Sequence, residues 1–221
     1  MELLEGLKTR KSIRAYKPEA VPRELLTRIL EAARWSPSWG NTQPWEALVV
    51  AGGVVPRLTA DLVAAVEQKE VPNPEVPMPA GFPDAQQHRY MACAAGLFGT
   101  MGIAREDKSR RKAHMLNMTR AFGAPVIVYV LFSADLQVPY TMFDLGAITH
   151  GICLAAHAQG LGTCVEAQLA LYPQLVRRHV QVPEDRRIVI GIALGYPDPE
   201  APANAFRTER EPLEKWVTWV D

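Results

Sequence analysis

Ser36-Pro37-Ser38-Trp39-Gly40-Asn41-Thr42-Gln43-Pro44-Trp45 is the stretch on which the reading of this chain turns. Before it, Leu25, Leu26, Ile29, Leu30 and Ala33 recur at helical spacing and predict a helix over 23–34; after it, the apolar run 47–51 reads as a strand. The stretch is therefore a helix-to-strand loop. It is longer than such connections usually are, rich in hydroxyls and amides, and stiffened by Pro37 and Pro44. A loop of this kind suits a flat polar ligand. On these residues alone, a surface loop with Trp45 plugging the core is an equal reading.

Towards the N-terminus, Arg10-Lys11-Ser12-Ile13-Arg14 sets three cations and a hydroxyl in five positions. Guanidinium forks and a serine hydroxyl match the oxygens of a phosphate monoester, although a short basic run by itself is more often a solvated face. The charge balance of the whole chain is neutral, with 24 basic and 24 acidic residues. That leaves no electrostatic footprint for nucleic acid or an anionic membrane. The longest apolar run, 124–132, is too short to span a bilayer, and no leader pattern opens the chain, so a cytoplasmic protein is expected. Cys93, Cys153 and Cys164 form no metal or disulfide pattern and are expected to be fillers or, for Cys164, a neighbour of a ligand. No carboxylate accompanies His150 and His157 at metal-ligand spacing, so no metal is expected.

Farther along, helices are predicted over 56–68, 85–102, 105–120 and 141–159, the last with Leu145, Ile148 and Ile152 on an apolar stripe and Gly160 as its stop. Gly96, Gly99 and Gly102 mark one side of the second of these, where another backbone is expected to approach. Strands are expected over 125–132 and 187–194, with a last one at 216–220. The prolines between 71 and 83 forbid both regular structures and imply an extended segment. Nothing in the composition divides the chain, and a single domain over 1–221 is expected.

The loop and the basic motif together resemble the FMN-dependent nitroreductase family, with its Arg-x-Ser-x-Arg/Lys motif followed by Pro-Ser-x-x-Asn-x-Gln-Pro-Trp. Gly160-Leu161-Gly162-Thr163-Cys164, Gly195-Tyr196-Pro197 and the basic, Pro-Leu-containing segment 207–216 are similar to later family segments. The resemblance is weakest over about 70–120. It implies an α+β fold, a central mixed or antiparallel sheet flanked by helices, in an intertwined homodimer with FMN at the subunit interface. Arg10, Lys11 and Ser12 would then serve the phosphate and ribityl end, and Arg14 the pyrimidine edge. Pro37, Ser38, Trp39, Asn41 and Gln43 would reach across from the partner subunit. The backbone of Val165, Glu166 and Ala167 would meet the flavin near N5, with Gly160 and Gly162 letting the chain lie against the ring. Arg207 and Arg210 are the C-terminal phosphate candidates; the family spacing puts Thr208 where a cation is usual, which favours Arg210.

The resemblance implies ping-pong hydride transfer from NAD(P)H through the flavin to a nitroaromatic or quinone-like acceptor, with no obligatory acid, base or nucleophile from the protein. Residues 70–120 would form a variable flap, with Trp39, Tyr90, Phe98, His114, Asn117 and Phe122 as substrate-pocket candidates. A relative acting as an ene reductase or as a dehydrogenase on one metabolite, and a flavin-storage protein without turnover, are the alternatives.

Overall fold

The computed structural model describes all 221 residues. Its centre is strand β2, Val126–Ser133, in which every residue but Ser133 is buried. An unbroken apolar run of this kind belongs in a sheet covered on both faces. Strand β1 (Glu46–Ala51) pairs with one edge of β2 and β4 (Arg186–Gly195) with the other, while β3 (Gly162–Glu166) pairs with the far edge of β4. All three pairings are antiparallel, which settles the sheet type. The only parallel element is an isolated bridge from Ser12 to Thr163, outside the named strands.

Alternation along β2 divides the core. Ile127, Tyr129 and Leu131 join one cluster with Leu58 and Leu62 of α3 (Val54–Glu67). Val126, Val128, Val130 and Phe132 join a second with Leu25 and Ile29 of α2 (Arg23–Ala33) and Leu145, Ile148 and Ile152 of α6 (Val138–Ala158). Helix α6 starts nearly a turn before the predicted Thr141, because Pro139 fits the first turn, where no amide donor is required. It packs most closely on α2 at Gly151, where a Cβ would lie 2.5 Å from Ser36 Oγ and 3.4 Å from the Ala33 carbonyl. Gly160 follows at φ +77 and ends it.

Between β1 and β2 the chain makes an excursion. The proline-rich segment carries no regular structure and is strapped down by Glu75, which accepts from Arg177 Nη2 at 2.8 Å and from the Ile188 amide at 2.6 Å. Arg177 lies on the short helix α7 (Pro173–His179). Helices α4 (Asp84–Thr100) and α5 (Lys108–Thr119) come next, and α4 buries only Leu97. The return to β2 passes through Ala121, Phe122 and Gly123, all three left-handed, at φ 52, 54 and 77. A bulky residue holds such a conformation only when its surroundings demand it, and Phe122 is buried in the first core cluster.

Four expectations need correction. The chain forms no strand at 216–220: Trp216, Trp219 and Val220 are 70, 78 and 91% exposed, and none of the four sheet strands pairs with them. No backbone packs on Gly96, Gly99 and Gly102: a Cβ on Gly96 would meet the Phe206 ring, Gly99 faces open space, and Gly102 takes φ +61 after the end of α4. Gly162 is small because Ile13 and Pro197 lie against it, so protein side chains occupy the space expected for a flat ring. Cys93 is half-buried and lines a cavity, whereas Cys153 and Cys164 are core fillers.

Candidate functional site

The Ser36–Trp45 loop is locked from α6. Asp144, buried on that helix, accepts the Trp39 amide with both carboxylate oxygens at 3.2 Å. Ser36 Oγ donates to the Ala33 carbonyl, and Ser38 Oγ accepts the Gln43 amide at 2.9 Å. Between these ties Gly40, Asn41 and Gln43 take φ of 53, 58 and 48. Three left-handed residues in four leave the Asn41 and Gln43 side chains exposed on a preformed turn. Trp39 stacks edge-on against Tyr140 at 4.2 Å, and Pro37, Ser38, Trp39, Tyr140, Phe143 and Asp144 line an open hollow of about 400 Å³.

The basic motif lies on a different part of the molecule. The Ile13 amide donates to the Thr163 carbonyl at 2.9 Å, so residues 10–14 run beside β3. The knot that fixes them is Asn204, a buried residue that the sequence did not single out, on α8 (Pro202–Ala205). Its Oδ1 accepts the Arg14 amide at 2.7 Å, its Nδ2 donates to the carbonyls of Ala15 and Asp198 at 2.8 Å each, and its own carbonyl accepts from Lys11 Nζ. Arg10 and Lys11 share a cavity of about 260 Å³ with His157, Gly160 and Thr163. His157 Nε2 lies 2.8 Å from Thr9 Oγ1. Thr9 gives its one hydroxyl proton to the Glu5 carbonyl, so the imidazole is the donor in this pair. Burial, and then the Arg10 charge, hold the His157 pKa below its ordinary value.

Arg14 faces the interior side of this rim. It acts on His114 of α5, whose pKa is lowered by burial first and Arg14 second, and His114 packs between Phe98 at 5.3 Å and Phe122 at 5.7 Å. Three of the flap candidates therefore converge beside the motif. Tyr90 does not join them: it is exposed and packs against Phe82. Asn117 is half-buried on α5 with no side-chain hydrogen bond. Val165 is exposed, whereas the neighbouring Glu166 side chain is buried and Ala167 opens a short turn. Burial foremost, with help from Glu166, pushes the Cys164 thiol up to about 12, which rules it out as a nucleophile at neutral pH.

Within one chain these parts are not all together. Asp144 holds the loop and His157 stands beside Arg10, and the thirteen-residue step from one to the other along α6 spans about 20 Å. Nor do Arg207 and Arg210 join the cavity of Arg10. They line one of about 760 Å³ with Arg89, Cys93, Gly96 and Phe206, in which Arg89 pairs with Glu211 at 3.0 Å and Arg210 donates to Thr208 Oγ1 at 2.6 Å. Phe206 lines the Arg207 and Arg210 cavity and lies under the Arg14 guanidinium at 5.9 Å. No cluster of His, Cys, Asp or Glu is able to hold a metal ion, and no helix is long and apolar enough to cross a membrane. The donor set of Arg10, Lys11 and Ser12, all cation or hydroxyl with no carboxylate among them, fits the phosphate monoester of a flavin mononucleotide.

A four-stranded antiparallel sheet with helices on both faces and a basic segment bridged to its β3 edge defines the α+β class of the protein. The chain belongs to the nitroreductase family, whose sequence model matches residues 7–196. It is 32% identical to nitroreductase NfnB of Mycolicibacterium smegmatis over 95% of this chain and 88% of the relative. With the nitrobenzene nitroreductase of Ectopseudomonas oleovorans it shares 30% identity over 97% and 95%. The FMN and NADPH-dependent nitroreductase NfnB from sphigopyxis sp. strain HMH has a crystal structure that superimposes with a TM-score of 0.93 at 34% identity, over the whole of both chains.

Proposed function

We propose that the protein is an FMN-dependent oxidoreductase that carries hydride equivalents from NAD(P)H to a nitroaromatic or quinone-like acceptor, as a homodimer with the cofactor at the subunit interface. The observation that carries this is the Ser12–Thr163 bridge, which sets Arg10, Ser12 and Arg14 along the β3 edge in a chain of the nitroreductase family. Relatives named as nitrobenzene and 4-nitrobenzoate reductases, and neighbours named as FMN and NADPH-dependent, point to the same chemistry. Bound FMN would supply the redox chemistry, serving as hydride acceptor and two-electron donor.

The chain's own residues bind and orient. Arg10, Lys11 and Ser12 hold the phosphate end, and Arg14 offers its charge to the pyrimidine edge. The backbone at Val165, Glu166 and Ala167 lies beside the reacting ring, and Arg207 or Arg210, reaching out of its own cavity, adds a further cation for phosphate. Phe98, His114 and Phe122 shape the acceptor pocket, within a single domain whose segment 70–120 acts as the flap. The distance between the loop and Arg10 supports a site completed by Pro37, Ser38, Trp39, Asn41 and Gln43 of a second subunit, since one chain cannot bring both to one ligand. Exposed Trp39, Tyr140 and Phe143 supply apolar surface for that contact. Reduction by NAD(P)H suits the cytoplasm, where those nucleotides are regenerated.

The test is the visible spectrum of the purified protein, with the released cofactor identified, then anaerobic addition of NADH and of NADPH. Flavin bands that bleach with nicotinamide and recover on adding 4-nitrobenzoate are expected. A colourless protein that takes up no added FMN overturns the reading, and flavin that neither nucleotide reduces points to storage.

A further inference from the structure

Glu166 is the last residue of β3, on the same face as Cys164, and it is only 4% exposed. The register sets it opposite Gly191 of β4, and Gly191 opposite Tyr129 of β2, so one row crosses three strands with a glycine at its middle. Leu169 covers that glycine. Both Glu166 carboxyl oxygens and the Tyr129 hydroxyl, all buried, have no hydrogen-bond partner. Such atoms normally find one, because leaving a buried polar group unpaired costs stability.

The groups that face Glu166 are Tyr16 and Arg14 from the N-terminal segment, Tyr129 from β2 and Cys164 from β3 itself. β4 contributes Gly191, and the turn after β3 contributes Leu169, neither of them charged. Arg14 is thus the one cation in reach, yet the two form no ion pair. Its guanidinium instead donates to the Ser12 carbonyl at 3.3 Å and lies over Phe206. Burial pushes the Glu166 carboxyl up to about 9, with Arg14 pulling it partly back. The acid is neutral at pH 7.

We propose that Glu166, buried without a hydrogen-bond partner and outside any ion pair with Arg14, is a positioning residue that leaves the Arg14 charge available to the flavin. The inference rests on the reading of Arg14 as the cation at the pyrimidine edge. An ionised Glu166, buried and unpartnered, would take Arg14 as its counter-ion and withdraw it from the cofactor. A glutamine at the same position keeps the shape and cannot ionise.

The test is FMN affinity and the reduction potential of bound FMN, followed from pH 7 to pH 10 in the intact protein and in Glu166→Gln. The affinity and potential of each protein at pH 7 serve as its own reference. By pH 10 the unsubstituted protein should have lost roughly tenfold more of its affinity than the variant has, the loss of one charge-assisted contact, and its potential should have dropped further than the variant's. Profiles that stay parallel overturn the inference alone. Absence of FMN uptake by either protein at pH 7 overturns the flavin reading beneath it. Should the variant fail to fold, infrared spectra of the unsubstituted protein decide: a protonated carboxyl stretch present at pH 7 and lost by pH 10 supports the proposal, and its absence at pH 7 sinks it.

Discussion

Glu166 shows how a single buried acid makes stability depend on pH. Its pKa is raised from an ordinary 4.5 to about 9 in the folded chain. Below about 4.5 it is protonated folded or unfolded and has no effect. Between the two values the unfolded chain releases the proton that the folded chain keeps, so stability falls as pH rises; above about 9 the penalty is constant. The slope approaches about 1.4 kcal/mol per pH unit as an upper limit. Glu166→Gln should therefore gain on the unsubstituted protein steadily from pH 5 to pH 9, measured by urea unfolding of the apoprotein. A difference that does not change with pH would show that the carboxyl is not neutral in the fold. Residue identities at 10, 12 and 14 were legible because their chemistry is local. The Glu166 side chain was not, since a glutamate reads as surface until pairing with β4 turns it inward.

At the level of elements, the loop depends on α6 more than on its own prolines. Asp144 accepts the Trp39 amide, and no residue of the loop replaces it. Asp144→Ala leaves that amide unpaired beside a turn already holding three left-handed residues. A loss of about 1–3 kcal/mol is expected by urea unfolding, with faster amide hydrogen exchange at Trp39 and Gly40. Asp144→Asn retains an acceptor and should lose less. Equal losses would place the effect in the helix and not in the loop. Helices α2 to α6 and strands β1, β2 and β4 were close to their predicted bounds, because periodicity and glycine and proline punctuation act over a few residues; β3 and α7, only five and seven residues long, were not foreseen. The tail at 216–220 was misread for the opposite reason: an apolar run looks like a strand whether or not an edge is available to pair with it.

For the whole molecule, the exposed aromatic surface is the informative feature. Phe143, 79% exposed on α6, sits with Tyr140 and Trp39 around one hollow. Water contact over that much aromatic area favours burial against a second copy. Phe143→Glu should shift the protein to monomer in light scattering and release FMN into the filtrate on dialysis. A monomer that keeps its flavin would show that one chain suffices for the site.

The sequence by itself determined helices α2 to α6, strands β1, β2 and β4, the family resemblance and the residue types able to hold a phosphate, since each is written in short spacings and side-chain chemistry. Only the tertiary structure decided that Asp144 pins the loop, that Asn204 ties the basic motif to the C-terminal segment, that Ile13 fills the space beside Gly162, and that Glu166 is a buried acid near an unpaired Arg14. Those facts join residues far apart in the chain. They follow from strand register and helix packing, which fix distance and burial and leave no mark in any local stretch.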